Sequence, residues 1–342
     1  MATLWFLQIT FVLATYVVLD GFDLGVGILA LTLPRSDADR HALIDTIRPV
    51  WDGNEVWLIA AAGALFFAFP LVYASSFSGF YLPLTIVLWL LVVRAFGIEL
   101  GEHIHEPLWR PLFDVAFTSA SVLLTFFFGV AAGNVVRGVP LAGDGYFFEP
   151  LWTDFMPGPH PGVLDWYTAL IGILSLAALA GHGAYYVAVK TTGDLQSRAR
   201  AVGGALWYAV VAMTVASLAA TVRVRPGVLD NYRMHPWGWT IPAVVVVALA
   251  AMRYYTSTGR PRRAFTASAV YVAGMIGGAA FALYPVLLPS STSSSDSLTI
   301  YNGQTGAYSL RVGLVWWAIG ISLAVVYFAV LYRSFRGTVV RE

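Results

Sequence analysis

The chain of 342 residues has no cysteine. This excludes disulfides, thiolate-bound iron–sulfur clusters, covalently attached c-type haem and zinc sites built on sulfur. Charge is equally scarce: Asp, Glu, Lys and Arg make up 11% of the residues, against about 25% in soluble domains. With a net charge of +1 the chain as a whole carries no excess of positive charge of the kind a nucleic-acid partner calls for. Only six histidines are present, so a redox cofactor would find few ligands here. Met1 to Leu19 lacks both a basic leader segment and a small-residue cleavage site before the apolar run continues, and reads as an uncleaved first span.

What the chain does have is apolar length. Hydrophobic residues account for 58% and mean hydropathy is +0.71, the signature of an all-α polytopic membrane protein. Nine transmembrane helices are predicted, near residues 4–31, 55–73, 79–98, 115–136, 163–189, 201–222, 238–256, 264–288 and 312–332. With the N-terminus outside, thirteen basic residues fall on inner segments and four (Arg137, Arg223, Arg225 and Arg233) on outer loops. That bias predicts a cytoplasmic C-terminus. Residues 138–162, rich in Gly and Pro, read as a solvated outer connection, and Ser290 to Ser297 as a flexible outer turn.

Against this apolar background the internal polar residues carry the information. Asp20 and Asp23 lie within the first span, three residues apart and therefore on one helix face. They sit 8–11 residues from its inner end, roughly 12–17 Å of rise. Gly21 and Gly25 form a Gly-x-x-x-Gly pair that admits another helix closely and would bury these acids in protein. Carboxylates at that depth are costly and usually mark an ion or proton route; simple hydrogen bonding to a neighbouring helix is the plainer alternative.

A second cluster runs from Arg48 to Trp57. Asp52 or Asn54 would cap the following helix, and Asp52 is also placed to form the cytoplasmic mouth of a proton route. Trp51 and Trp57 read as interfacial belt residues, and Arg94 as snorkelling to the inner surface. Glu99, Glu102, His103, His105 and Glu106 read as a solvated loop rather than a metal site. His182 is the only histidine well inside a span, and a satisfied polar contact is its expected role; one internal histidine cannot make a dihaem site.

At these residues the chain resembles subunit II of the cytochrome bd quinol oxidases. The matching pieces are DGFDLGVG (20–27), PVWDGNEVWL (49–58), FSGFY (77–81), GVAAGNVVRGVP (129–140) and YPVLLPSSTSSSDSLT (284–299). The resemblance implies a single membrane domain over 1–342: a first four-helix bundle within 1–137, a second within 163–288 and a peripheral helix at 312–332. It implies a haem-bearing subunit I carrying the b and d haems, small accessory subunits, lipids and a bound structural quinone. The complex would oxidise quinol and reduce dioxygen to water with protons from the cytoplasm, generating a proton motive force without pumping. It also implies Asp20, Asp23 and Asp52 in a proton path and Trp57 in oxygen access, in a bacterial cytoplasmic membrane. From the residues alone, a secondary transporter using Asp20 and Asp23 as coupling-ion sites on a broken helix is the competing class.

Overall fold

The computed structural model describes residues 1–103 and 109–339. Its helices are α1 (Ala2–Leu29), α2 (Asp37–Asp45), α3 (Trp51–Ala68), α4 (Pro70–Gly79), α5 (Tyr81–His103), α6 (Arg110–Arg137), α7 (Trp166–Lys190), α8 (Gly193–Val224), α9 (Asp230–Met234), α10 (Thr240–Ser257), α11 (Pro261–Leu283) and α12 (Ala307–Ser334). Among the described residues, eight helices are long and apolar enough to cross a membrane.

The expected span at 55–73 is two pieces here. Pro70 has no amide hydrogen to donate, so the helix stops at Phe69 and a new one starts with the proline at its first position. α3 keeps 18 residues, about 27 Å of rise. Asp52, Asn54 and Glu55 make its first turns polar, which is why α3 is not among the eight.

α1 is the axle of the structure and packs against α3, α6, α7 and α11. Its contact with α7 is backbone to backbone. A Cβ on Gly25 would lie 2.0 Å from the Leu179 carbonyl oxygen, and one on Gly183 would lie 2.4 Å from the Gly25 carbonyl carbon. The close approach expected of Gly21 and Gly25 is thus made, with α7 as the neighbour. Phe22, Val26, Tyr186 and Val187 pack around the crossing.

The connections at 138–162 and 284–299 are built rather than loose: the first keeps many solvent-exposed residues, and Ser290 to Ser297 is a tied-down turn, contrary to the flexible one read from its composition. β1 (Val286–Leu288) pairs antiparallel with β2 (Leu298–Thr299). Val139 joins this hairpin through hydrogen bonds to Pro289 and Ser291. Apolar side chains scattered through the loop explain the order: Val139, Leu141 and Phe147 are buried together with Leu288, Leu298 and Ile300. The serines tie the turn down, Ser290 Oγ donating to the Leu141 carbonyl and Ser297 Oγ accepting from the Ser290 amide.

Candidate functional site: a sealed acid–arginine cluster

Tyr16, Asp20 and Asp23 recur on α1 at spacings of four and three, so they share the face turned toward α3 and α5. Asp20 and Asp23 are 0% exposed. Arg94, from the middle of α5, is also 0% exposed and grips Asp20 with both terminal nitrogens, at 2.5 Å to Oδ1 and 3.0 Å to Oδ2. The expectation that Arg94 snorkels is therefore overturned. A bidentate carboxylate partner inside the protein compensates the guanidinium there, and the side chain has no reason to reach for the surface.

Asp23 is held from α3. Asn54 Nδ2 donates to Asp23 Oδ2 at 2.7 Å and to the Leu19 carbonyl, while Asn54 Oδ1 accepts from Tyr332 Oη at 2.8 Å. This corrects the capping reading. The helix begins at Trp51 with Val50 as its N-cap and no side-chain cap, so Asn54 lies a full turn inside and its amide is free to face α1. Glu55 extends the cluster, its carboxylate 4.0 Å from Arg94. One guanidinium thus pairs with two carboxyl groups, Asp20 and Glu55, with Asp23 one helical turn from Asp20. Asp23 Oδ1 and Arg94 Nε have no hydrogen-bond partner among the described residues and keep spare capacity for water or a neighbouring chain.

Exposure falls along this row. Asp52 is exposed, the Glu55 side chain retains 22% exposure, and Asp20 and Asp23 retain none. Asp52 and Glu55 are three residues apart on α3 and so on one face.

Trp51 and Trp57 are buried, not interfacial, because neighbouring helices cover them: Trp51 joins the core around Phe22, and Trp57 packs with Val12, Tyr16 and Phe328. The outer edge of Trp57 lines an apolar cleft of about 640 Å³ between α3 and α12, walled by Phe67, Trp316 and Trp317.

His182 is buried and engaged as expected, Nε2 bonding to the Val18 carbonyl at 3.0 Å and Nδ1 to Ser268 Oγ at 2.7 Å. Among the residues weighed as metal ligands, His105 and Glu106 lie outside the described residues. Within those described there is no group of three or more His, Asp or Glu arranged for a metal ion.

Three features of this site are not among those expected from the sequence: Tyr16, Glu55 and the pairing of Arg94 with Asp20. Signals existed. Tyr16 is one turn before Asp20, and Glu55 stands in the same motif as Asp52. A lone arginine deep in one span and an aspartate deep in another are each costly unless they meet.

A match to the cytochrome bd terminal oxidase subunit II family covers residues 1–335. The chain belongs to that family. It is 33% identical over 359 residues to the probable cytochrome oxidase subunit 2 of Haemophilus influenzae, covering 98% of this chain and 94% of that one. It is 32% identical over 366 residues to the cytochrome bd-I ubiquinol oxidase subunit 2 of Escherichia coli, covering 99% and 95%. The cytochrome bd ubiquinol oxidase subunit 2 of Bacillus subtilis is 31% identical over 322 residues, covering 90% and 88%. In fold, the chain matches a chain of the bd oxidase from Geobacillus thermodenitrificans with a TM-score of 0.77 at 16% identity, covering 98% of both.

The family implies haem in the complex. The buried histidine of this chain does not fit an axial role: His182 has both ring nitrogens already engaged.

Proposed function

We propose that this chain is the non-haem half of a cytochrome bd-type quinol:oxygen oxidoreductase. It is inactive alone and builds access routes for a subunit I that carries the b and d haems. In this reading the chain is one membrane domain, with α1, α3, α5 and α6 in one four-helix group, α7, α8, α10 and α11 in a second, and α12 peripheral. The N-terminus lies outside and the C-terminus in the bacterial cytoplasm, as the basic residues favour. Protons from the cytoplasm pass Asp52 and Glu55 to the sealed pair Asp20 and Asp23, and onward to subunit I for the reduction of dioxygen to water. Quinol is oxidised in the partner, so the complex generates a proton motive force without a pump.

The observation that carries this reading is the falling exposure from Asp52 through Glu55 to Asp20 and Asp23, ending on carboxyl groups held by Arg94 and Asn54. An exposed acid, a half-sheltered acid and two buried acids form a proton ladder if water or a partner residue bridges them. Trp57, at the inner wall of the α3–α12 cleft, serves oxygen access in the same scheme. No residue here is assigned to a structural quinone. The transporter alternative loses support because α1 runs unbroken from Ala2 to Leu29, whereas coupling-ion sites of that class sit at interrupted helices.

The test is oxygen consumption by the purified complex carrying Asp23→Asn. The proposal expects slow turnover, down by about 10²-fold as for loss of a proton-transfer group, with unaltered b and d haem spectra. Full turnover with intact spectra would remove Asp23 from the route.

A further inference from the structure

From Asn231 to Ser295 the sequence contains no acidic residue. Within that stretch, Arg253 near the end of α10 and Arg260, Arg262 and Arg263 around the start of α11 gather at one membrane face, all four exposed. Among the described residues none of the four forms an ion pair. Aromatic rings hold two of them in place instead: the Arg263 guanidinium lies 5.6 Å from the centre of Tyr255, and that of Arg253 lies 5.9 Å from the centre of Tyr208. Contacts to ring faces leave the in-plane N–H donors free.

Of the four, Arg263 lines the head of a groove between α10 and α11, with Arg260 and Arg262 next to it in the chain. The groove measures about 660 Å³, with Ala248 and Ala267 on its floor, Val247 and Val270 on its rims, and Tyr255, Arg263 and Thr266 at the head. Small side chains line its floor, Ala243, Ala248, Ala251 and Ala267 among them. Its lining reaches from Tyr255 back to Thr240, roughly 22 Å of helix rise, longer than the ~15 Å of one leaflet's hydrocarbon. The positive end of α11, whose first amides are uncapped by any side chain, adds to the field at the head.

We propose that this groove binds an anionic phospholipid. One acyl chain lies along the alanine floor, and the phosphate meets Arg263 and the Thr266 hydroxyl, with Arg260 and Arg262 supplying further charge. A headgroup bearing its own ammonium would meet uncompensated arginines, so the site selects lipids that lack one, such as phosphatidylglycerol. Under the orientation proposed above, the occupied leaflet is the cytoplasmic one, where juxtamembrane arginines are attracted to anionic lipid; the groove itself does not depend on that orientation.

The test is native mass spectrometry of the intact complex incubated with phosphatidylglycerol or phosphatidylcholine. Phosphatidylglycerol adducts should survive at least about fivefold better, and each Arg→Gln change at 260, 262 or 263 should cut retention up to about fivefold, the equivalent of ~1 kcal/mol per basic residue. Arg263→Lys, which keeps the charge, should retain most binding and controls for folding. Equal retention of the two lipids by the unaltered complex would overturn the proposal, as would unchanged phosphatidylglycerol binding by the triple Gln variant. So would a photo-crosslinker at Thr266 that captures polypeptide instead of lipid.

Discussion

Arg94 and Asp20, 74 residues apart in sequence, form a bidentate ion pair with neither side chain exposed. Removing one member of such a pair leaves a buried charge uncompensated, at about 3–5 kcal/mol. Arg94→Gln is therefore expected to lower the melting temperature of the complex sharply. The double change Asp20→Asn with Arg94→Gln should recover much of the loss, because no unmatched charge remains at that contact. A double variant no more stable than Arg94→Gln alone would mean that the pair is not the unit that matters.

Gly25 gives a prediction of a different kind. Its missing side chain is what allows α1 and α7 to touch, since any Cβ would overlap the Leu179 carbonyl and the backbone of Gly183. Backbone cannot move aside as a flexible side chain can. Gly25→Ala is expected to force the helices apart and to destabilise by about 1–3 kcal/mol or more, as overpacking does. Gly63→Ala serves as the control, because a Cβ there meets nothing within 4 Å. Thermal unfolding of the two variants side by side measures the difference.

The contrast between these residues shows what a sequence makes legible. Eight of the nine expected spans have a counterpart among the long apolar helices, while the ninth divides at Pro70; the burial of Asp20 and Asp23 followed from their place within an apolar span. The small-residue spacing foretold a close helix contact near them. Partner identity did not follow. Helix periodicity gives the position and face of Arg94 but not which of several helices stands opposite, so it points the side chain toward the surface. Pro49 and Gly53 suggest a turn with Asn54 as the cap, whereas the chain is already helical from Trp51. In the connections at 138–162 and 284–299, Gly, Pro and Ser dominate the composition and conceal the few apolar side chains that fold them.

Glu149 lies in one of those loops and is buried beside Arg137, which also engages Asp165, Asn134 and the Gly162 carbonyl. Two carboxyl groups here share one guanidinium. Burial pushes the Glu149 carboxyl up to about 7 despite the pull of Arg137. Raised above its unfolded value, the group binds more proton in the folded state between about pH 4.5 and pH 7, so its stabilising effect is fully present below that window and is lost as pH rises through 7. The span corresponds to about 3 kcal/mol at most. Melting temperatures between pH 5 and pH 8 should fall for the unaltered complex relative to Glu149→Gln, which cannot ionise; parallel curves would exclude Glu149 as the titrating group.

Trp57 and the cleft between α3 and α12 give the most direct handle on oxygen. Gly63 and Gly320 both line the cleft, and a side chain added at either would have nothing within 4 Å at its first carbon. Gly320→Leu therefore puts its side chain into the cleft with no clash at Cβ, unlike a change at Trp57, which is packed against Phe328 at 5.3 Å. If oxygen reaches the partner past Trp57, filling the cleft lowers the rate of capture while leaving the subsequent chemistry alone. The KM for oxygen should rise by about tenfold, a loss of ~1.4 kcal/mol in kcat/KM, with kcat at saturating oxygen unchanged. The same KM in Gly320→Leu and the unaltered complex would assign oxygen access elsewhere, and a fall in kcat without a change in KM would point to damage to the complex and not to its oxygen route.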